Sequence, residues 1–274
     1  MNEDEYQEAV AYNTAQLAAG AITPSHVTSM TAAWQETHAL EVDGKCGPTT
    51  RASIVLVTDE VANPRPPGLP GFEFHDRRKY AAQAHGPGGV WPVTSRPLSQ
   101  VTGVCLHQTA CVLGERPERY DTVGAHIAIT RLGKVIWLHS FDRKVMHGNG
   151  WNNGTVGIEI DGLYAGVEGD PSTVWDDPST PVHEKGLTLL PSTITAVRDT
   201  IRWIYTQVPG LKVLVAHRQS SGSRRNDPGS AIWKGCALPM HAELGLTDGG
   251  VGFKLDNGYP IPEAWDPRCV GIKY

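Results

Sequence analysis

The feature that most constrains the fold is a series of short apolar runs combined with one long amphipathic stretch. The runs cover 101–107, 125–130, 135–139, 155–160 and 211–217, and each has the length and composition of a β-strand. Leu132-Gly133 predicts a hairpin between the second and third runs. Before the last run, apolar residues recur at helical spacing after a cap at Ser192 or Thr193, and the pattern stops at Pro209-Gly210. Strands with a long intervening helix predict an α/β sheet.

The first part of the chain differs from the rest in its patterning. Val27, Met30 and Trp34 lie at helical spacing, and turn residues then lead into another short helix, so residues 1–57 predict a small helical domain. From 63 to 71 the sequence NPRPPGLPG holds four prolines and two glycines, which is typical of a stiff linker. We therefore expect a helical domain at 1–57, a linker and lead-in at 58–94, and a sheet domain at 95–274.

Charge, hydropathy and cysteine content argue against several classes of function. A net charge of −5 without a basic stretch argues against nucleic-acid binding. No apolar run reaches about 18 residues, so we expect no membrane span. The acidic N-terminus lacks the pattern of a signal peptide, so we expect synthesis in the cytoplasm. Five scattered cysteines argue against a disulfide framework; Cys105 and Cys111 could pair, but reduced thiols are the simpler expectation.

Two of the predicted strands end in a histidine. The run VCLHQTA contains His107, and LKVLVAH, which has the apolar content of an internal strand, ends in His217. Sites in α/β proteins usually lie at strand ends, so both imidazoles are potential metal ligands. Catalytic zinc requires about three protein ligands, and the loop HRQSSGSRRNDPG could fold back to supply Asp227 as the third. The alternative is that each histidine makes only a structural hydrogen bond.

A carboxylate also lies inside the apolar strand TVGIEIDG. Glu159 shares one face of that strand with Gly157 and Asp161, while valine and isoleucine occupy the other face. Burial of an acid is costly unless the acid is paired or protonated. Glu159 therefore has either a salt-bridge partner or a pKa raised towards neutrality, as a general base requires.

Four blocks of the sequence together resemble a known family. In chain order they are VCLHQTA, AHIAITRLGKV, HGNGWNNGTVGIEIDG and AHRQSSGSRRNDPG, within residues 95–245. They resemble the zinc-dependent N-acetylmuramoyl-L-alanine amidases of the type-2 amidase and peptidoglycan-recognition-protein fold. The resemblance implies a mixed central β-sheet flanked by helices, one zinc ion, and hydrolysis of the amide bond between N-acetylmuramic acid and L-alanine in bacterial peptidoglycan.

The resemblance also implies a role for several residues. His107, His217 and Asp227 match the zinc ligands of the family. Glu159 matches the acid that serves as general base in the members most like the cell-wall recycling amidases. Ala125 stands where phage lysozyme-type amidases have a catalytic tyrosine, which leaves Glu159 as the expected base.

Four further positions depart from the family pattern or allow an ordinary alternative. Arg225 stands where such amidases usually have a lysine that stabilises the tetrahedral oxyanion, and arginine keeps the charge but does not readily donate a proton. Arg224 is an alternative for the same role. His147 matches a histidine that lines the substrate groove, and Trp151 could pack against glycan or peptide; a solvated histidine and a structural tryptophan are the alternatives.

The helical domain has a resemblance of its own. The sequence WQETHALEVDGKCGPTTRASI resembles the second half of a three-helix peptidoglycan-binding domain, with matches at Gln35, Leu40, Val42, Asp43, Gly44, Gly47 and Thr50. The alternative is a helical cap on the catalytic domain. A wall-binding domain joined to an amidase suits a phage endolysin, which reaches the cell wall after a holin opens the membrane.

Other functions are compatible with the same fold. A secreted antibacterial effector amidase or a cytoplasmic recycling enzyme would share the chemistry. A non-catalytic peptidoglycan receptor would typically lack a zinc ligand, whereas all three ligand positions are filled here, and a structural cell-wall component of a virion would need no zinc. Residues 249–274 lie beyond the matched blocks and could either brace the zinc loop or narrow the groove.

Overall fold

The computed structural model describes residues 73–85, 92–175 and 185–274. The chain divides into two units, 1–66 and 67–274, and every described residue belongs to the second unit. The helical domain expected at 1–57 and the proline-rich motif at 63–71 therefore lie outside the described residues. Within the described residues, no helix has the length and apolar character needed to cross a membrane.

The secondary structure of the described part alternates strands and helices. The strands are β1 (Phe74–Asp76), β2 (Thr94–Ser95), β3 (Gly103–Gln108), β4 (Ile127–Ile129), β5 (Val135–Trp137), β6 (Arg143–Lys144), β7 (Thr155–Ile160) and β8 (Val213–Ala216). The α-helices are α1 (Arg78–Ala84), α2 (Pro191–Gln207), α3 (Ser230–Ile232) and α4 (Leu238–Leu244), with a π-helical turn at Trp233–Ala237.

Six of these strands form one mixed sheet in the order β1-β5-β4-β7-β3-β8. β7 pairs in parallel with both β3 and β4, and β8 pairs in parallel with β3. β4 and β5 are antiparallel and are joined by the hairpin predicted at Leu132-Gly133, where Gly133 has a φ of +92°. The mixed sheet with flanking helices confirms the predicted fold class for this part of the chain.

The two faces of the sheet bury different sets of side chains. Ile127 and Ile129 belong to the main core, to which α2 contributes Ile201. Ala128, between them in β4, belongs to a smaller cluster with Tyr120. Because side chains alternate along a strand, the main core lies on one face of the sheet and the smaller cluster on the other.

The position of β8 differs from the sequence-based expectation of an internal strand. β8 lies at the edge of the sheet, where it pairs only with β3 apart from a single bridge between Val213 and Thr247. The Leu214 amide donates to the main-chain oxygen of Thr247 at 3.0 Å. Its sequence resembles that of an internal strand because both faces of β8 are covered: Leu214 and Val215, which point to opposite faces, are fully buried.

One other local prediction was wrong, and one strand was missed. Helix α2 begins at Pro191, directly after Leu190, and has no side-chain cap; the fixed φ of proline suits the first turn of a helix. Thr193, one of the two predicted caps, instead donates its hydroxyl to the main-chain oxygen of Arg131. The sequence also gave no indication of β1, which has three residues, lies in the predicted lead-in and pairs in parallel with β5.

Candidate metal centre

His107 and Glu159 come together because β3 and β7 are paired. The two residues are direct partners in the parallel register. Leu106 and Ile158 beside them belong to the main core, so His107 and Glu159 lie on the opposite face of the sheet. His107 is fully buried, and the side chain of Glu159 is 16% exposed. The sheet register thus places an imidazole and a carboxyl group side by side near the carboxyl ends of two strands.

The loop after β8 brings His217 and Asp227 to the same place. The Arg218 amide donates to the main-chain oxygen of Asp227 at 2.9 Å, which closes the loop. The Gln108 amide donates to Asp227 Oδ1 at 3.0 Å, which ties the loop to the end of β3. Gly229 then turns the chain away with a φ of +102°, in the left-handed region that favours glycine.

The three predicted metal ligands form a triangle of ligand atoms. His107 Nδ1 lies 2.9 Å from His217 Nδ1, and His217 Nδ1 lies 3.0 Å from Asp227 Oδ2. The third side, from His107 Nδ1 to Asp227 Oδ2, measures 4.0 Å. Tetrahedral zinc with bonds of about 2.0 Å separates its ligand atoms by about 3.3 Å, which lies within this range. One zinc ion therefore fits the three residues with small adjustments.

Hydrogen bonds on the far side of each imidazole are consistent with one assignment of the ring protons. His147 Nε2 lies 3.3 Å from the main-chain oxygen of Thr155, which can only accept, so the His147 Nδ1 is an acceptor. That Nδ1 lies 3.0 Å from His107 Nε2, which must therefore donate. His217 Nε2 donates in the same way to Asn149 Oδ1 at 2.9 Å. The Nδ1 atoms of both ligands are left unprotonated, as metal binding requires.

In that tautomer, the Nδ1 lone pairs of His107 and His217 converge with the carboxylate oxygen of Asp227. Burial, reinforced by His217 and His147, lowers the pKa of His107 well below its ordinary value, so its imidazole is neutral near pH 7. A buried cluster of acceptors with no donor is unfavourable. A cation removes that penalty, and two imidazoles with one carboxylate are a donor set that suits zinc.

A second group of potential ligands shares His107 but is less suited to a metal. Cys105, His107 and His147 also place ligand atoms within 4.8 Å of one another. His107 and His147 already hydrogen-bond to each other, and burial raises the pKa of the Cys105 thiol. Gly157 leaves room for this packing, since a Cβ at that position would lie 2.6 Å from His147 Cγ. Cys105 and His147 therefore pack behind His107 and support the triangle of ligand atoms formed by His107, His217 and Asp227.

Glu159 has no lysine or arginine as a salt-bridge partner among the described residues. Its Oε2 is buried and has no hydrogen-bond partner among residues 73–85, 92–175 and 185–274. Oε1 lies 4.0 Å from His107 Nδ1. Burial, and then the charge of Asp227, raise the pKa of Glu159 well above its ordinary value, while the charge of Arg224 opposes the shift.

The two arginines that the sequence suggests for oxyanion stabilisation have different surroundings in the structure. Arg225 is exposed, and its guanidinium donates to the main-chain oxygen of Tyr274 and lies 4.6 Å from the centre of the Tyr274 ring. Arg224 is partly buried, and its charge lowers the pKa values of both Glu159 and His107. The Arg224 guanidinium carbon lies 5.4 Å from the centre of the Trp175 ring.

The remaining predicted residues lie around the triangle. His147 is 7% exposed and contacts His107 through its Nδ1, so it is a buried residue and not a solvated one. Trp151 is partly buried, with its ring centre 6.1 Å from that of Phe253. Sequence reasoning missed Asn149, the partner of His217. One asparagine in the run HGNGWNNG gives no signal beyond that of a turn, although its φ of +52° shows that it occupies a special position.

The chain is similar to several known proteins. A family model described as N-acetylmuramoyl-L-alanine amidase matches residues 97–230, just under half of the chain. No curated protein matches the chain.

Several solved structures are similar to the chain at low sequence identity. The endolysin N-acetylmuramoyl-L-alanine amidase LysCS from Clostridium intestinale URNW is 13% identical, with coverage of 65% of this chain and 99% of that one and a TM-score of 0.42. The Ph2119 endolysin of Thermus scotoductus MAT2119 bacteriophage Ph2119 is 16% identical, with coverage of 63% and 99% and a TM-score of 0.40. Drosophila PGRP-LB is 14% identical, with coverage of 65% and 97% and a TM-score of 0.45. The stretch 97–230, which includes His107, Glu159, His217 and Asp227, thus matches the N-acetylmuramoyl-L-alanine amidase family.

Proposed function

We propose that the chain is a zinc-dependent N-acetylmuramoyl-L-alanine amidase, which cleaves the amide bond between N-acetylmuramic acid and the L-alanine of the stem peptide. The observation that carries the proposal is the convergence of three potential ligand atoms, from His107, His217 and Asp227, beside the carboxyl group of Glu159. The family match includes all four residues.

In the proposed reaction, Glu159 moves the proton. Zinc in such a site is a Lewis acid, which activates water and polarises a carbonyl group. Glu159 accepts a proton from the attacking water as the water adds to the lactyl carbonyl carbon. The same carboxyl group then gives that proton to the nitrogen of L-alanine as the C–N bond breaks. A raised pKa suits the first step, because burial of the carboxyl group increases its tendency to take up a proton.

We assign oxyanion stabilisation to Arg224 and positioning of His107 to His147. The assignment of Arg224 rests on the influence of its charge on Glu159 and His107, whereas the guanidinium of Arg225 is engaged by Tyr274. A fixed positive charge near the reacting carbonyl stabilises the negative oxygen as it forms. For Trp151, we propose a role as an apolar wall for glycan or peptide, supported by its partial exposure.

The main rival is a non-catalytic peptidoglycan receptor on the same fold. Such a protein would bind stem peptides or glycan without a metal and would have no need of a complete ligand set. The three converging ligand atoms and the unpaired carboxyl oxygen of Glu159 favour catalysis.

The biological setting that we propose is a phage endolysin. The sequence resemblance of residues 1–57 to a peptidoglycan-binding domain supports it, because such a domain would hold an amidase on the cell wall. Release through a holin would then give access to the wall. A secreted antibacterial effector amidase is the alternative, and lysis of a producing host upon co-expression with a holin would separate the two.

Digestion of purified peptidoglycan with and without a metal chelator tests the proposed activity. We expect released stem peptides that begin with L-alanine, identified by mass spectrometry, and we expect chelation to abolish them and added zinc to restore them. New reducing sugar ends would identify a glycosidase and contradict the proposal. Binding to peptidoglycan with no products at any zinc concentration would favour the receptor.

A further inference from the structure

Residues 249–274, here called the bracing segment, pack against the loop that carries His217 and Asp227. Two backbone hydrogen bonds join the segment to the loop. The Leu255 amide donates to the Gln219 oxygen at 2.7 Å, and the Tyr259 amide donates to the Arg218 oxygen at 2.8 Å. The residues that directly follow the ligand His217 are therefore held from outside the loop.

The backbone of the bracing segment approaches the backbone of the loop closely at Gly258. A Cβ at this position would lie 2.2 Å from the Gln219 oxygen and 2.8 Å from the Ser220 amide nitrogen. Both atoms belong to the backbone, which cannot move aside as a flexible side chain can. Only glycine allows the bracing segment to reach the loop at this distance.

The side chain of Arg218 lies at the centre of this contact and is 1% exposed as a residue. Its Nε donates to the Pro260 oxygen of the bracing segment at 3.0 Å, and its Nη1 donates to the Arg225 oxygen of the loop at 2.5 Å. One planar guanidinium thus joins the segment to the end of the loop that leads into Asp227. The fixed fork of donors in arginine allows both bonds at once.

The guanidinium of Arg218 is surrounded by aromatic rings and has no carboxylate partner among the described residues. The rings of Tyr259, Trp265 and Tyr274, all in the bracing segment, lie 5.8, 4.7 and 5.2 Å from the guanidinium carbon. Within the described ranges, no aspartate or glutamate forms an ion pair with Arg218. Burial lowers the pKa of Arg218 to about 10, so the group stays charged at neutral pH. A buried cation without an acid is costly, and cation–π contacts offset part of that cost.

Arg218 also contacts both zinc ligands of the loop through its backbone. It directly follows His217, and its amide donates to the main-chain oxygen of Asp227 at 2.9 Å. We propose that Arg218 is a positioning residue, held by the bracing segment, that keeps His217 and Asp227 at the separation zinc binding requires. The proposal rests on the proposed function for the identity of the metal.

The variant Arg218→Met tests this role through zinc affinity. Methionine fills the space but donates to neither carbonyl, so the loop loses its link to the segment. We expect the zinc dissociation constant, measured by competition with a chromophoric chelator, to rise about 10- to 100-fold, as for other residues that orient metal ligands. Arg218→Lys should recover part of the affinity because it restores one hydrogen bond and the charge. Arg268→Met is the matched control, since Arg268 lies in the same segment, pairs with Asp266 and has a 63% exposed side chain.

Gly258→Ala provides a second test that leaves Arg218 unchanged. The added Cβ pushes the bracing segment off the loop, and we expect a comparable rise in the zinc dissociation constant with a circular dichroism spectrum like that of the parent. This variant decides the question if Arg218→Met does not fold. Parent-like zinc affinity in the folded variants, even with lowered melting temperatures, would show a purely structural role and overturn the proposal. A parent protein that binds zinc tightly but releases no peptides would refute the amidase assignment alone.

Discussion

At the scale of single residues, the metal site depends on partners that are distant in sequence. His107 is oriented by His147, 40 positions away, and His217 by Asn149, 68 positions away. Each partner accepts a hydrogen bond from Nε2 of the histidine, and Nδ1 of that histidine is then free for a metal ion. The proposed metal ligands are therefore oriented by the protein itself, which would lower the cost of ordering them upon metal binding.

Replacement of Glu159 by glutamine tests the proposed base. Glutamine keeps the size of the side chain but cannot take up a proton, so we expect kcat to fall about 10²- to 10⁴-fold. Zinc content, measured by atomic absorption, should stay at the parent level, because Glu159 is not among the three ligands. Glu168→Gln is the control, since Glu168 pairs with Lys234 on the surface. A Glu159→Gln enzyme with parent-like turnover would show that another group serves as the base.

The two neighbouring arginines should differ in their effect on turnover. Loss of an oxyanion-stabilising charge typically reduces kcat about 10²- to 10³-fold, and we expect this of Arg224→Met. Arg225→Met should have a much smaller effect on kcat, because the guanidinium of Arg225 is directed to Tyr274. Steady-state kinetics on a soluble muramoyl-peptide checks both variants. The reverse order of effects would return the role to Arg225, the arginine that the family resemblance suggested.

The sequence predicted the residues that converge but not how they are supported. His107, Glu159 and His217 were recognisable because each interrupts an apolar strand with a polar side chain. Asn149 and Arg218 gave no such signal, since both lie in polar loops where asparagine and arginine are ordinary. Their importance arises only from tertiary contacts, which a single sequence does not encode as a local pattern.

At the scale of secondary-structure elements, prediction succeeded where an apolar pattern repeated several times along the sequence. Helix α2 and the β4–β5 hairpin follow from repeated apolar spacing and from a glycine with positive φ. β1 has only three residues, too few to show the alternation of apolar and polar side chains that marks a strand. The edge position of β8 could not be recognised from the sequence, because both faces of the strand are covered and its residues are therefore apolar. Strand order depends on pairing between distant segments, so the apolar content of one strand does not reveal it.

A core substitution in α2 tests the role of that helix in stability. Ile201 is fully buried in the main core, and Ile201→Ala should lower the free energy of unfolding by about 2 to 5 kcal/mol. Tyr205, on the same helix, is 41% exposed, and Tyr205→Ala should cost far less. Urea unfolding followed by circular dichroism compares the two variants. Equal losses would mean that α2 does not pack on the sheet through the face described above.

At the scale of the whole molecule, buried neutral histidines link stability to pH. Burial, with smaller effects of His85 and Arg143, lowers the pKa of His139 to about 4. The unfolded chain binds this proton near pH 6.5, so between pH 6.5 and about 4 the unfolded state holds more protons than the folded state. The free energy of unfolding should therefore fall as the pH falls through this window.

The variant His139→Gln should weaken that dependence in the metal-free protein. One proton contributes a slope of about 1.4 kcal/mol per pH unit, and removal of the titrating group removes that contribution between pH 6.5 and 4. Denaturant unfolding at a series of pH values, in the presence of a chelator, measures the slope. Above pH 7 the slopes of parent and variant should coincide. An unchanged slope in the acid window would mean that His139 is protonated in the folded state.

The edge position of β8 has a consequence for the behaviour of the protein in concentrated solution. An uncovered edge strand presents main-chain donors and acceptors that can recruit the same strand of another molecule. Here the main chain at Thr247 takes up the Leu214 amide and donates to the Lys212 oxygen at 3.0 Å, so part of the edge is already occupied. The turn that precedes the bracing segment thus protects the molecule from self-association into extended sheets.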